Sequence, residues 1–270
     1  MRIYRPGIWY LNPYLNDTDP SYISQGNSEL DSEKSHAFNL SYSNFTQKFN
    51  INLSARYSFT NNSIENVTKL MPDTEIEGLK NPTGKDVLYS TYANIGKTRR
   101  ASVSAYVNWN ATPRTRIYMN MSGDYSYMEG SEGMRNDGWS LFAYGGAQQT
   151  LPHDWRISLN VFGQTPWIML QGKGSSFFDY GLSVNKSFLN KRLTLSAFAS
   201  NFFKKYMDQS STTEGAGFIR ESSYKYSRQR FGISVSYRIG ELKASVKKAA
   251  RTISNDDVKS GGSGSGGGGE

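Results

Sequence analysis

The chain has 270 residues, with 31 Lys and Arg against 23 Asp and Glu and a formal net charge of +8 at pH 7. It contains no cysteine, which excludes disulfides, thiolate metal sites and cysteine nucleophiles. The basic residues are spread along the chain without a clustered basic face, so nucleic acid is not an expected partner.

The chain opens with a predicted strand over 2–5, followed by a long polar loop over 6–35. This loop carries the aromatic residues Trp9, Tyr10 and Tyr14, which are candidates for stacking on a ligand such as a sugar or an aromatic chelate. Anchoring at the interface between membrane and water is the alternative, and these residue types favour it.

The segment 49–60 shows the pattern that dominates the chain. Its odd positions are apolar or aromatic, and its even positions are Asn, Ser, Arg and Thr. A period of two indicates a strand, because successive side chains of a strand point to opposite faces. Aromatic rings at both ends with aliphatic carbon between them are typical of a strand that crosses a bilayer.

The same pattern recurs and predicts ten strands, an even number. They cover 2–5, 36–44, 49–60, 87–111, 115–128, 138–151, 155–169, 176–188, 192–207 and 218–239. Turns of about three to five residues alternate with longer loops, which is the layout of outer-membrane barrels. The connections at the end opposite the short turns cover 6–35, 61–86, 129–137, a short Gly-rich loop at 171–175, and 208–217. Trp139 stands at the third of these loops and is a further candidate ligand residue.

A soluble β-sandwich also alternates apolar and polar residues and is the main structural alternative. Strands of soluble proteins average about five or six residues, whereas several here are predicted to be about twice as long. The polar faces are rich in Ser, Asn and Gly, as a wet barrel interior would be. We therefore predict an all-β protein, an antiparallel up-and-down transmembrane β-barrel in contact with the lipid of a Gram-negative outer membrane.

The domain organisation follows from the change of composition near residue 240. Residues 1–240 form the predicted barrel, and 241–258 form a periplasmic tail that is either a short amphipathic helix or a solvated segment. Residues 259–270 are nearly all Gly and Ser and are predicted to be disordered.

Catalytic chemistry has little support in the sequence. His36 and His153 are the only histidines, and the strand pattern puts them at opposite ends of the barrel. A nucleophile and its base must lie within hydrogen-bond reach of each other. We therefore predict a protein that is not an enzyme, with no catalytic residue, metal site or cofactor.

The first loop carries a recognisable motif, with Arg-Pro, then Leu-Asn-Pro, then Gly-Asn and a Leu and a Glu before the strand at 36. The residues that carry it are Arg5, Pro6, Leu11, Asn12, Pro13, Gly26, Asn27, Leu30 and Glu33. This motif resembles a signature of TonB-dependent outer-membrane receptors, in the subgroup with a carboxypeptidase-regulatory-like N-terminal domain. Ser28 and Ser32 replace two prolines of the family pattern.

The resemblance implies the C-terminal portion of a twenty-two-stranded barrel that a plug domain fills. The remaining N-terminal strands, the plug and, through the plug, TonB would be its partners, and its function would be uptake of a scarce nutrient, a siderophore, a glycan or a similar small extracellular ligand. Met1–Pro6 shows no signal-peptide pattern, so we expect that a signal was removed or that the chain is a C-terminal piece. A complete small barrel acting as a pore or adhesin is the first alternative, and a soluble β-sandwich binding module is the second.

Overall fold

In the computed structural model, the structure describes residues 1–239 and 258–259. Nearly all of the regular structure is strand. The first eight strands are β1 (Arg2–Pro6), β2 (Asn16–Asp19), β3 (Tyr22–Ser24), β4 (Glu33–Phe45), β5 (Phe49–Pro72), β6 (Asp86–Thr112), β7 (Thr115–Glu129) and β8 (Arg135–Leu151). The others are β9 (Trp155–Gln164), β10 (Ile168–Met169), β11 (Gly172–Lys173), β12 (Phe177–Phe188), β13 (Leu193–Ser200), β14 (Tyr206–Gly215), β15 (Phe218–Ser227), β16 (Arg230–Tyr237) and β17 (Val258–Lys259). One helical turn, α1 (Ile8–Leu11), and two 3₁₀ turns, Asp73–Glu75 and Ser131–Gly133, complete the list.

Ten strands form an antiparallel meander in the order β16-β13-β12-β9-β8-β7-β6-β5-β4-β1. Each of the ten predicted strands corresponds to one strand of this meander, so the predicted fold class is confirmed. Strand β17 pairs in parallel with β1. The other strands belong to the loops at one end: β2 and β3 lie between β1 and β4, and β10, β11, β14 and β15 form a separate four-stranded sheet.

Several predicted boundaries were wrong, all of them at the long-loop end. Half of the predicted loop 61–86 is strand, because β5 continues to Pro72 and β6 begins at Asp86. The predicted loop 208–217 lies largely in β14, and the predicted strand 218–239 is divided into β15 and β16. These extensions stand beyond the alternating region and have polar side chains on both faces, so they lack the period-two signal. The predicted tail 241–258 and the predicted disordered segment 259–270 lie outside the described residues, apart from Val258 and Lys259, which form β17.

The two faces of the meander differ sharply in chemistry. One row across five strands reads Leu40, Ala55, Val103, Gly123 and Leu141. The adjacent row, on the opposite face, reads Ser41, Ser54, Ser104, Ser122, Phe142, Gln164 and Phe177. The apolar face is open to its surroundings: Leu40 is 76% exposed and Ile233 is 83% exposed. In a β-sandwich such side chains would be packed under a second sheet.

The polar face is held together by side-chain hydrogen bonds between strands. Ser54 Oγ and Ser104 Oγ lie 2.6 Å apart, and Arg116 Nε donates to Asn108 Oδ1 at 2.6 Å. Tyr118 OH crosses over β8 to donate to Asn160 Oδ1 on β9. This face is therefore suited to water, whereas the opposite face is suited to hydrocarbon.

Among the described residues, the buried apolar clusters lie at the long-loop end, where loop side chains pack against the ends of meander strands. The first contains Tyr10, Leu30 and Ile64, the second Ile23, Ile76 and Val87, and the third Met128, Ile168 and Leu170. Each brings together side chains from at least two different segments of the long-loop end. The hydrophobic core of the described residues is thus at the long-loop end, formed jointly by loops and strand ends.

The described residues include no helix with the length and hydropathy needed to cross a membrane.

Candidate functional site: the outer-loop assembly

The long loops of the five hairpin connections, β1–β4, β5–β6, β7–β8, β9–β12 and β13–β16, contact one another at one end of the meander. We call them together the outer-loop assembly. The short turns lie at the opposite end, where His153 is found, whereas His36 lies near the long-loop end of β4. The two histidines are therefore far apart, and no histidine pair forms a site.

The first loop folds back on itself, so that the two halves of its motif pair. Gly26 N donates to Asn12 O at 3.0 Å, and Asn27 N donates to Tyr10 O at 2.6 Å. A Cβ atom on Gly26 would lie 2.4 Å from Asn12 O and 2.7 Å from Tyr10 O. Only glycine fits this approach of two backbone segments, which gives a physical reason for the glycine of the motif.

The remaining motif residues fix this loop to the strands below it. The Glu33 carboxylate is buried and accepts a hydrogen bond from Ile64 N at 2.5 Å. Asn27 Nδ2 donates to Tyr92 O at 2.9 Å, and Leu30 packs in the first cluster with Leu11 beside it. Pro13 O accepts from Gln25 Nε2 at 2.8 Å, while Arg5 and Pro6 pair with β17. The motif therefore encodes the conformation of the loop.

A buried glutamine joins two loops that are distant in sequence. Gln171, between β10 and β11, accepts from Thr68 N at 2.7 Å and donates to Thr68 O at 2.9 Å. Its own carbonyl accepts from Glu214 N at 2.9 Å. One side chain thus completes the backbone hydrogen bonds of β5, and its backbone binds β14.

The β14–β15 hairpin crosses from one end of the strand order toward the other. At its base, Arg228 Nη1 donates to Asp179 Oδ2 at 2.6 Å, and Asn201 Nδ2 donates to Asp179 Oδ1 at 2.7 Å. Near its tip, the Arg220 guanidinium lies 3.8 Å from the centre of the Tyr22 ring in β3. Six strand spacings of about 4.8 Å separate β13 from β5, and ten extended residues span roughly 33 Å, so the hairpin is long enough to lie across them.

The third loop is attached to the same body. Asn136 Nδ2 donates to Met169 O and Gly172 O, both at 2.8 Å, and Lys69 Nζ contacts Glu132 Oε1 at 2.8 Å. Met134 packs against the third cluster. All five loops therefore form one connected structure.

A cleft of about 550 Å³ opens in this assembly beside the first loop. Trp9 and Tyr14 stand at it with 67% and 73% of their surfaces exposed. Tyr22 and Tyr92 supply two more rings. The other lining residues are Asn12, Asn16, Ser24, Gln25, Gly26, Asn66 and Ser90.

The four aromatic residues predicted as ligand candidates fall in three environments. Trp9 and Tyr14 line the cleft together. Tyr10 is buried at 8% exposure, with its ring edge-on to Tyr92 at 4.5 Å, and burial raises the pKa of its phenol to about 12. Trp139 pairs with Tyr125 across β7 and β8, on the same face as Leu141, and does not line the cleft. Ligand binding by these side chains stays a prediction.

Sequence reasoning missed Tyr22, Tyr92 and the amide residues of the cleft. Tyr92 was placed in a long strand and Tyr22 in a loop, and nothing in their local sequence indicates that β3 pairs in parallel with β6. The parallel register Tyr22–Leu88, Ile23–Tyr89 and Ser24–Ser90 brings these segments together.

Acidic side chains of the loops serve the loop structure. Asp19 Oδ1 accepts from Ser21 Oγ at 2.7 Å and from Ser21 N at 3.0 Å, and these two bonds, with Arg220 nearby, hold the pKa of the Asp19 carboxyl below its usual value. The Asp73 carboxylate accepts from Thr83 N, Thr83 Oγ1 and Gly84 N, which likewise lowers its pKa. Within residues 1–239, no group of three or more His, Asp or Glu side chains is arranged to hold a metal ion.

The sequence matches the family model described as outer membrane protein beta-barrel family over residues 1–237. No curated protein matches the chain. The family match covers the whole meander and its loops, and it agrees with an exposed apolar face opposite a hydrogen-bonded polar face. The chain therefore belongs to the outer membrane protein beta-barrel family.

Proposed function

We propose that this chain is the C-terminal barrel portion of a TonB-dependent receptor, located in the cell outer membrane, that takes up a scarce nutrient. The observation that carries the proposal is the outer-loop assembly. A general diffusion pore needs an open mouth, whereas a receptor needs an ordered external surface that can hold a ligand. Five joined loops with three buried clusters supply such a surface.

The pairing of the strands supports a larger barrel. Within the described residues, β16 pairs only with β13, and β1 pairs with β4 and with the two residues of β17. A strand edge inside a bilayer leaves backbone N–H and C=O groups without partners, at a cost of several kcal/mol for each group. Further strands that pair with β16 and β1 would satisfy these groups. The motif of the first loop, which resembles that of TonB-dependent receptors, supports a receptor barrel as their source.

In this proposal the chain contributes the wall of the channel and the ligand-holding loops. The hydrogen-bonded polar face lines the lumen, and gating belongs to the plug domain that engages TonB. No residue of the chain is assigned a catalytic role.

The coding sequence upstream of Met1 gives the first test. A signal peptide followed by a plug domain and about twelve further strands is expected. An upstream sequence without a plug domain would contradict the receptor and leave the complete small barrel, a pore or adhesin, as the better account.

A physiological test follows if the upstream domains are found. Deleting the gene and deleting TonB should abolish uptake of the same nutrient, and a protonophore should have the same effect. Uptake that persists without TonB would refute the proposal.

A further inference from the structure

We propose that the cleft beside the first loop is a binding site for a neutral oligosaccharide. This inference rests on the proposed receptor function and adds the chemical class of its ligand. It starts from the composition of the cleft: none of the eleven residues that line it is charged, although charged residues make up 20% of the chain.

The absence of charge separates the candidate ligands. Anionic ligands, such as most ferric chelates, phosphates and acidic sugars, are held by Arg and Lys side chains. The nearby charges, Asp19 and Arg220, attract each other, and neither lines the cleft. Arg220 instead covers the Tyr22 ring at 3.8 Å. The site is thus suited to a ligand without formal charge.

The rings supply flat apolar surfaces of two kinds. Tyr22 and Tyr92 are fixed, the first under Arg220 and the second edge-on to the buried Tyr10 at 4.5 Å. Trp9 and Tyr14 are largely exposed. A pyranose ring has a face of C–H groups that can pack on an aromatic ring, and its rim carries hydroxyls. Four rings around one cleft of about 550 Å³ can therefore contact more than one sugar unit.

The amides supply the matching hydrogen-bond donors. Asn12 Oδ1 accepts from Tyr14 N at 3.1 Å, and Asn16 Oδ1 accepts from Thr18 N and Thr18 Oγ1. Within the described part of the chain, no hydrogen bond uses Nδ2 of Asn12 or of Asn16. Each amide is thus oriented by its own turn, with its NH₂ group left to donate to a sugar hydroxyl.

The test measures binding of labelled hexasaccharides to outer-membrane fractions from cells that make the protein with its natural upstream domains. Maltohexaose, xylohexaose and mannohexaose are the neutral probes, and hexagalacturonate, a ferric catecholate and a neutral hexapeptide are the comparison probes. At least one neutral hexasaccharide should bind saturably, and fractions from cells without the gene should not bind it.

The variants assign the binding to this cleft. Trp9→Ala and Tyr14→Ala should each weaken binding about tenfold, whereas Trp109→Ala, which removes an exposed ring at the short-turn end, should leave it unchanged. Asn16→Asp keeps the acceptor for Thr18 and removes the free donor, so it should weaken binding about fivefold, as expected for one neutral hydrogen bond. This variant is isosteric, so it remains informative if an aromatic variant misfolds.

The outcomes separate this inference from the proposed function. Trp9-dependent binding of the ferric catecholate, the hexapeptide or hexagalacturonate instead of a neutral sugar would overturn the ligand class and leave the receptor intact. Sugar binding that is unaffected by Trp9→Ala, Tyr14→Ala and Asn16→Asp would overturn the assignment of the cleft. No sugar binding by protein that runs as a folded, heat-modifiable band would overturn the inference, while TonB-dependent uptake would still test the receptor separately.

Discussion

Replacing Gly26 with alanine should open the first loop. The added Cβ would lie 2.4 Å from Asn12 O and 2.7 Å from Tyr10 O, and both are backbone atoms of the facing segment. A comfortable carbon–oxygen contact is about 3.3 Å, so the segments must separate by about 0.9 Å. That movement weakens the hydrogen bonds Gly26 N to Asn12 O and Asn27 N to Tyr10 O.

The magnitude can be built from these contacts. Overpacking costs about 1–3 kcal/mol, and weakening of the two backbone hydrogen bonds adds about 1 kcal/mol in total. The loop should therefore open more easily by about 2–4 kcal/mol. Amide hydrogen exchange by mass spectrometry on peptides from the segment 8–30 measures this opening directly. Trp9 and Tyr14 lie in the same segment, so ligand binding at the cleft should fall as well.

Gly181→Ala is the matched control, because its Cβ would meet Ser200 Oγ at 3.4 Å, an ordinary contact. Exchange in the segment 8–30 should stay at the wild-type rate in this variant. If Gly26→Ala changed the free energy of opening of the segment 8–30 by less than about 0.5 kcal/mol, the close approach of the two backbone segments would not require glycine at position 26.

Three further predictions concern the apolar face, the loop junction and pH. Leu40→Arg, on the exposed apolar face, should lower the free energy of unfolding of the barrel in lipid vesicles by about 2–4 kcal/mol, measured by urea unfolding. Ser41→Arg, on the polar face, should change it little. Equal effects of the two variants would contradict membrane burial of the apolar face. Gln171→Leu leaves the buried N–H and C=O of Thr68 without partners, so the free energy of local opening around residue 68, measured by amide exchange, should fall by about 2–4 kcal/mol. Gln209→Leu is the control and should leave it unchanged. An unchanged opening free energy in Gln171→Leu would mean that this junction does not stabilise the loops. The pKa of Asp73 is lowered in the folded loop, so the ionised carboxylate stabilises the loop fully at neutral pH, and this stabilisation is lost as pH falls below about 4. Pepsin cleavage within 73–85 should therefore rise as pH falls below about 4. Asp73→Asn should already be cleaved at pH 5.

The sequence predicted the meander well because two solvents dictate its pattern. Each strand there has one face for hydrocarbon and one for water, so the alternation is visible in the sequence alone. Strand β14 carries mainly polar side chains on both faces, and a run such as Ser210–Thr213 carries no alternation to read. It was therefore predicted as a loop in part and as a membrane strand in part.

The candidate site was predicted less completely, for a different reason. The first loop was recognised by its motif, and Trp9 and Tyr14 do lie at one cleft. Tyr10, next to Trp9 in sequence, is buried because α1 turns its side chain toward Leu30 and Ile64. The rings of Tyr22 and Tyr92 reach the cleft through a strand pairing between distant segments, which local sequence does not report.

The contact between Gln171 and Thr68 also bears on how the protein folds. It joins residues 103 positions apart, with several hairpins between them. Contacts of such large sequence separation form slowly, because the entropy of closing the chain must be overcome before the contact stabilises anything. Each hairpin pairs strands that are neighbours in sequence and can form early, whereas the outer-loop assembly can form only after most strands are in register. Formation of the outer-loop assembly is therefore a late kinetic step. An antibody specific for its folded form, or a protease that cleaves only its unfolded loops, would report when the barrel is complete.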